Sequence, residues 1–169
     1  MAATLWLIGM AGAGKSTIGP RVAAALGADF VDLDQVIALA AGCDIARIFE
    51  DEGEEGFRAR EREAVESIAG SPVVVACGGG VVEVAENVET MRSTGDVAWL
   101  DTTVGVLLER VGDGGGRPML AGDVKSRLTA LQRRRKRKYE SAADRRFDAG
   151  RREPIEIARE IVAWWRKSS

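Results

Sequence analysis

Short apolar runs alternate along the chain with longer stretches in which apolar residues recur every three or four positions. The runs at 4–8, 30–33, 73–77 and 97–100 are rich in branched residues and bounded by Gly, Asp or Pro, the pattern of buried strands. A weaker fifth run lies near 146–149. Helical periodicity covers 16–26, 45–50, 57–69, 84–93 and 104–111, then a long basic stretch at 124–141 and a closing one at 155–167. Strands separated by helices with short links predict an α/β fold, a mostly parallel sheet of about five strands with helices on both faces. Ile157, Ile161, Trp164 and Trp165 form one stripe of the last helix, expected to pack on the core, and Trp6 and Trp99 fall in strands.

Two segments break the alternation. Residues 33–62 hold helical and glycine-containing pieces where one crossover helix would suffice. Within 112–124, the eleven residues Asp113-Gly-Gly-Gly-Arg-Pro-Met-Leu-Ala-Gly-Asp123 include four glycines and a proline. Such a stretch predicts a loop; with Arg117 in it, it suits a flap that closes over a site and excludes water.

At 169 residues, with no internal repeat or low-complexity linker, the chain predicts a single domain spanning 1–169. Its 24 basic and 26 acidic residues leave a net charge of −2, which argues against a general attraction to nucleic acid or anionic lipid. No run approaches the roughly 18 apolar residues of a membrane span, and the opening eight residues lack the basic start of a signal peptide. A cytoplasmic monomer is the expectation. The chain has no histidine, which removes His-based triads, His general bases and most zinc sites. Cys43 and Cys77 form no metal or redox motif and read as free thiols.

The first strand runs directly into Gly9-Met-Ala-Gly-Ala-Gly-Lys15-Ser16-Thr17, a G-x-x-x-x-G-K-[ST] turn between strand and helix. Glycines there let successive backbone N–H groups point inward as a nest for anions, and the helix that follows adds its positive end. Lysine of this motif reaches the β- and γ-phosphates of a nucleotide, and the Ser16 hydroxyl is a hard oxygen ligand for Mg²⁺. Pro20, inside the predicted helix, is an oddity of this segment.

Asp32-Leu-Asp34 ends the second apolar run, at the carboxyl end of a parallel strand, where ligands collect; alternation would put both carboxylates on one side, and Asp34 is also a fair N-cap for the next helix. Further on come Ile48-Phe-Glu-Asp-Glu-Gly-Glu-Glu-Gly-Phe57-Arg58-Ala-Arg-Glu61 and, after the third strand, Gly78-Gly79-Gly80. Consecutive glycines allow a ligand close to the backbone, and an arginine among phenylalanines suits a planar carboxylate in a partly dry pocket. The run 133–138, Arg-Arg-Arg-Lys-Arg-Lys, reads as a solvated helix face rather than a nucleic-acid patch, because no aromatics interleave it.

Together the phosphate loop, D-x-D, I-F-x-x-x-G-E-x-x-F-R-x-x-E, the three glycines, R-P-[LM]-L at 117–120 and R-x-x-x-Y at 135–139 resemble the shikimate kinases, in order and spacing, over nearly the whole chain. The resemblance implies a P-loop NTPase-type sheet with 33–62 as substrate-binding insertion and 112–124 as lid. It implies transfer of the ATP γ-phosphate to the 3-hydroxyl of shikimate, with Mg²⁺, on the route to chorismate and the aromatic amino acids. Gly12, Ala13, Gly14, Lys15, Ser16 and Thr17 would then hold the nucleotide phosphates, and Ser16 with Asp32, through water, the Mg²⁺. Asp34 would bind the substrate hydroxyls and accept the proton. Arg58 and Arg135 would grip the carboxylate, Arg135 being chosen among its neighbours for its spacing to Tyr139. Gly78, Gly79 and Gly80 would line the ring, Phe49 and Phe57 wall the pocket, and Glu61 fix Arg58. Arg117 would meet the transferring phosphate and Arg152 lie near the adenine. Cys77 departs from the Thr or Ser more often found before the glycines. The rivals are another small-molecule kinase, for gluconate or a nucleoside monophosphate, and a non-enzymatic relative. Phe57-Arg58 and the glycines disfavour the first, the intact set of charged residues the second.

Overall fold

A computed structural model describes residues 3–112 and 124–168. Five strands form one parallel sheet in the order β2-β3-β1-β4-β5: β1 (Thr4–Ile8), β2 (Asp29–Asp32), β3 (Val73–Ala76), β4 (Gly95–Asp101) and β5 (Arg145–Asp148). The weak fifth run is thus a true strand, paired along one side only with β4 (Trp99 beside Arg146, Leu100 beside Phe147).

Seven helices lie among the described residues, α1 (Lys15–Leu26), α2 (Leu33–Ala41), α3 (Ile45–Ile68), α4 (Ala85–Thr94), α5 (Val104–Gly112), α6 (Val124–Ala142) and α7 (Pro154–Ser168), with a short 3₁₀ turn at Val81–Glu83. All of β1 is buried, as its unbroken apolar run requires. Leu5 and Leu7 face a core layer with Ile18, Val22, Ile157 and Ile161 of α1 and α7. Trp6 and Ile8 face the opposite layer with Val65, Met91, Leu107 and Tyr139 from α3 to α6. Trp165 is buried and Trp164 packs edge-on against Phe147 at 5.5 Å, so the stripe of the last helix is core. Trp99 stacks on Tyr139 at 5.8 Å.

Three details differ from the sequence pattern. The strand expected at 30–33 stops at Asp32, because the Asp32 carboxylate accepts a bond from the Asp34 backbone N–H at 3.0 Å and caps α2. Asp32 is therefore the N-cap; Asp34 lies in the first turn. The helices expected at 45–50 and 57–69 are joined into α3, bent at Gly53, whose φ of 69° no branched residue would tolerate. Pro20 stands exposed within α1, two residues from the face that packs on the sheet at Ile18 and Val22. Its neighbour Gly19 is buried, and a side chain there would collide with the Phe30 ring.

Candidate active site

The loop between β1 and α1 lies at the carboxyl end of the central strand, where parallel sheets bind ligands. Gly14, at φ 102°, turns the chain into α1. The nest it helps form has its lysine already folded over it. Lys15 Nζ donates to the carbonyls of Gly9 at 2.6 Å and Met10 at 2.9 Å. Burial pushes its pKa down to about 8 even though Asp34 and Asp32 stand nearby. Ser16 Oγ donates to Asp32 Oδ2 at 3.2 Å, so hydroxyl and carboxylate meet beside the nest.

A cleft of about 420 Å³ opens over this loop. Its wall runs from Gly12, Ala13, Gly14 and Thr17 through Asp32 and Asp34 to Gly78 and Gly79. Asp34 is half-buried, and one of its oxygens, Oδ1, is buried with no hydrogen-bond partner among the described residues. Burial, then the charge of Asp32, push its carboxyl above the ordinary range; Lys15 and Arg58 oppose this.

The turn Gly78–Gly80 gathers charged side chains from α2, α3 and α6. A methyl added to Gly78 would stand 3.1 Å from Asp34 Oδ1 and 3.2 Å from Glu61 Oε2. On Gly79 it would stand 3.1 Å from Ala11 N of the phosphate loop and 3.3 Å from Arg135 Nη1. On Gly80 it would overlap the Arg58 guanidinium, with Nη1 at 2.6 Å. Two arginines, two carboxylates and the phosphate loop therefore converge on three residues without side chains.

Each arginine is held from behind. Arg58 Nη1 donates to Glu61 Oε1 at 2.8 Å, and its guanidinium lies 5.3 Å over the Phe57 ring. Glu61 is fully buried, and burial pushes its carboxyl up while Arg58 pulls it back. Phe57 is buried and Phe49, 40% exposed, stacks on it at 4.6 Å. Arg135 Nε donates to Glu83 Oε1 at 2.9 Å, and the Tyr139 hydroxyl donates to the Gly79 carbonyl at 2.5 Å. Of the run 133–138 only Arg135 is buried, one helical turn before Tyr139 on the inward face of α6.

Arg152 lines the far end of the cleft and pairs with Glu160 at 2.8 Å. Cys77 also lines the cleft; its Sγ packs 4.0 Å from Met91 Sδ, and burial pushes the thiol far above its ordinary range. Cys77 is buried and Cys43 half-buried, both free. Arg117 and residues 113–123 of the expected lid lie outside the described residues.

Sequence reasoning missed Arg110 and Glu83. Arg110 donates to the carbonyls of Gly12, Ala149 and Gly150 at 2.9, 2.9 and 2.7 Å, tying the phosphate loop to the segment after β5. Both are single charged residues, 98 and 52 positions from Gly12 and Arg135 respectively, with no motif around them.

An anion nest ending the central strand, an acidic pair at its rim and two anchored arginines beyond define a P-loop kinase for a small anionic acceptor. The profile of the shikimate kinase family matches residues 11–166. A shikimate kinase of Synechococcus sp. is 45% identical over 161 residues, covering 94% of this chain and 82% of the relative. That of Symbiobacterium thermophilum is 42% identical over 160 residues, 92% of each. The solved shikimate kinase from Acinetobacter baumannii in complex with shikimate superposes with a TM-score of 0.92 at 31% identity, covering 100% and 96% of the chains. A gluconokinase from Sinorhizobium meliloti, at 17% identity and a TM-score of 0.58, shares the fold alone. The chain belongs to the shikimate kinase family.

Proposed function

We propose that this protein transfers the γ-phosphoryl group of ATP to the 3-hydroxyl of shikimate, giving shikimate 3-phosphate and ADP on the route to chorismate and the aromatic amino acids. The observation that carries the reading is the convergence of Arg58, Arg135, Asp34 and Glu61 on Gly78–Gly80, against the backbone of the phosphate loop. That arrangement suits a ring bearing both a carboxylate and hydroxyls, placed within reach of a nucleotide's terminal phosphate.

The residues act as follows. Backbone amides of 12–17 cradle the phosphates, and Lys15 exchanges its loop carbonyls for phosphate oxygens. Arg58 and Arg135 each offer guanidinium N–H groups to the carboxylate, fixing the ring; Phe49 and Phe57 wall one side. Asp34, in the cleft wall, takes the proton of the attacking hydroxyl. Arg117, from the lid at 112–124, meets the transferring group, and Arg152 lies beside the adenine. Ser16 and Asp32 offer hard oxygen donors beside the nest, a fit for Mg²⁺, which holds mainly water and phosphate oxygens; when bound it neutralises phosphate charge. We read 1–169 as one kinase domain, with 33–62 as substrate-binding insertion, and the acting unit as a monomer in the cytoplasm. Every acceptor-side residue above comes from one chain, and among the described residues no helix is long and apolar enough to cross a membrane.

An ADP-release assay with shikimate, gluconate and nucleoside monophosphates as acceptors tests this. Turnover with shikimate alone is expected; turnover with another acceptor and none with shikimate overturns it.

A further inference from the structure

Six consecutive cations occupy 133–138, and the fold uses them unequally. Glu83, the last residue of the turn after the glycines, engages three of them. Arg135 Nε and Lys138 Nζ each approach one of its oxygens at 2.9 Å, and Arg134 Nη2 lies at 3.2 Å. The Arg135 and Glu83 side chains are only 11% and 16% exposed. The other end of the same guanidinium, Nη1, faces Gly79, 3.3 Å from where a Cβ would stand.

We propose that Glu83 is a positioning residue for substrate binding: it fastens the Nε end of Arg135 so that the Nη end is presented to the acceptor carboxylate. This rests on the reading of Arg135 as a carboxylate ligand. An arginine held in place before the substrate arrives surrenders less rotamer freedom on binding. A bare carboxylate here would repel an anionic acceptor, and Arg134 and Lys138 offset that charge. Burial works against ionisation of Glu83, yet bonds from Lys138 and Arg135 hold its carboxyl at about 2, so it stays charged at any pH of assay. The contact joins elements 52 residues apart, and of the three cations that Glu83 engages Arg135 alone is buried.

The test is a steady-state comparison of wild type, Glu83→Gln, Glu83→Ala, Arg135→Ala and the Glu83→Ala/Arg135→Ala double variant, varying shikimate and ATP separately. Glu83→Ala is expected to raise KM for shikimate about tenfold, with smaller changes in kcat and in KM for ATP. Glu83→Gln, whose amide oxygen still accepts from Arg135, should raise it about threefold and serves if the alanine variant folds poorly. In the Arg135→Ala background the Glu83 change should add nothing, which a general structural role would not produce. A KM for shikimate that is unchanged or falls in the glutamine variant, or equal losses for both substrates in both backgrounds, overturns the proposal. Wild type that fails to turn over shikimate overturns the parent reading, and this one with it; normal wild-type turnover with an unmoved KM overturns this one alone.

Discussion

The two ends of the cleft are built on different plans. The nucleotide end of the proposed site is a contiguous loop of nine residues, 9–17, whose lysine rests on its own carbonyls. At the acceptor end the main chain contributes mostly empty space, three glycines, and the chemistry arrives on side chains from α2, α3 and α6. A cradle of backbone amides serves any nucleoside triphosphate, since it reads only phosphates. The proposed pocket of side chains would read one acceptor, and each of its arginines has its own carboxylate behind it, Glu61 or Glu83. Generality sits in the loop and selectivity in the ion pairs.

Substitutions can break that division in order of size. The largest effect belongs to charge that acts only during transfer: Arg117→Ala should lower kcat by about 10³–10⁵, the scale of arginine fingers, while moving both KM values little. An unchanged kcat removes Arg117 from the reaction. Asp34→Asn should lower kcat by about 10²–10⁴, as expected for loss of a general base. Because burial and Asp32 raise the Asp34 carboxyl in the free protein, the acid limb of the wild-type kcat/KM profile for shikimate should fall above the ordinary aspartate range. A limb at the ordinary position would reduce Asp34 to a hydrogen-bond acceptor. Arg58→Ala should raise KM for shikimate by about 10- to 100-fold, equivalent to a charge-assisted bond of about 1.5–3 kcal/mol, and leave KM for ATP nearly alone. A rise confined to ATP would mean the two ends are assigned backwards.

The smallest effect sharpens the comparison from the other side. Lys15 in the nucleotide-free protein loses its proton above about pH 8, so kcat/KM for ATP should decline there. The stability of the free protein should move oppositely. The unfolded chain keeps that proton up to about 10.5, so ν for the unfolded state exceeds that of the native one between 8 and 10.5, and stability rises with pH.

The same contrast explains what could be read from the sequence. The phosphate loop is local, so strand, turn and helix are legible in one stretch. Arg58 and Glu61 are legible because one helical turn joins them. Arg135 was separable from its five neighbours only by its spacing to Tyr139; burial on the inner face of α6 is what sets it apart. Asp32 and Asp34 do share the cleft wall, though not by strand alternation, because capping starts a helix between them. The joined α3 was hidden by Gly53, which looks like a break and is a bend. β5 was faint because three of its four residues, Arg145, Arg146 and Asp148, are exposed. Glu83 and Arg110 were invisible, since each acts on a partner far along the chain and carries no local pattern.

The place of β1 in the middle of the sheet has a temporal consequence. Its neighbours are β3 and β4, which arrive only with residues 73–76 and 95–101. A nascent chain that stops short of β4 carries the whole phosphate-loop sequence without both flanking strands to fix it, so nucleotide capture must wait until β4 has been synthesised. From then on ATP binds folded chains in preference to unfolded ones, and the cell's nucleotide pool becomes a thermodynamic buffer for the finished enzyme.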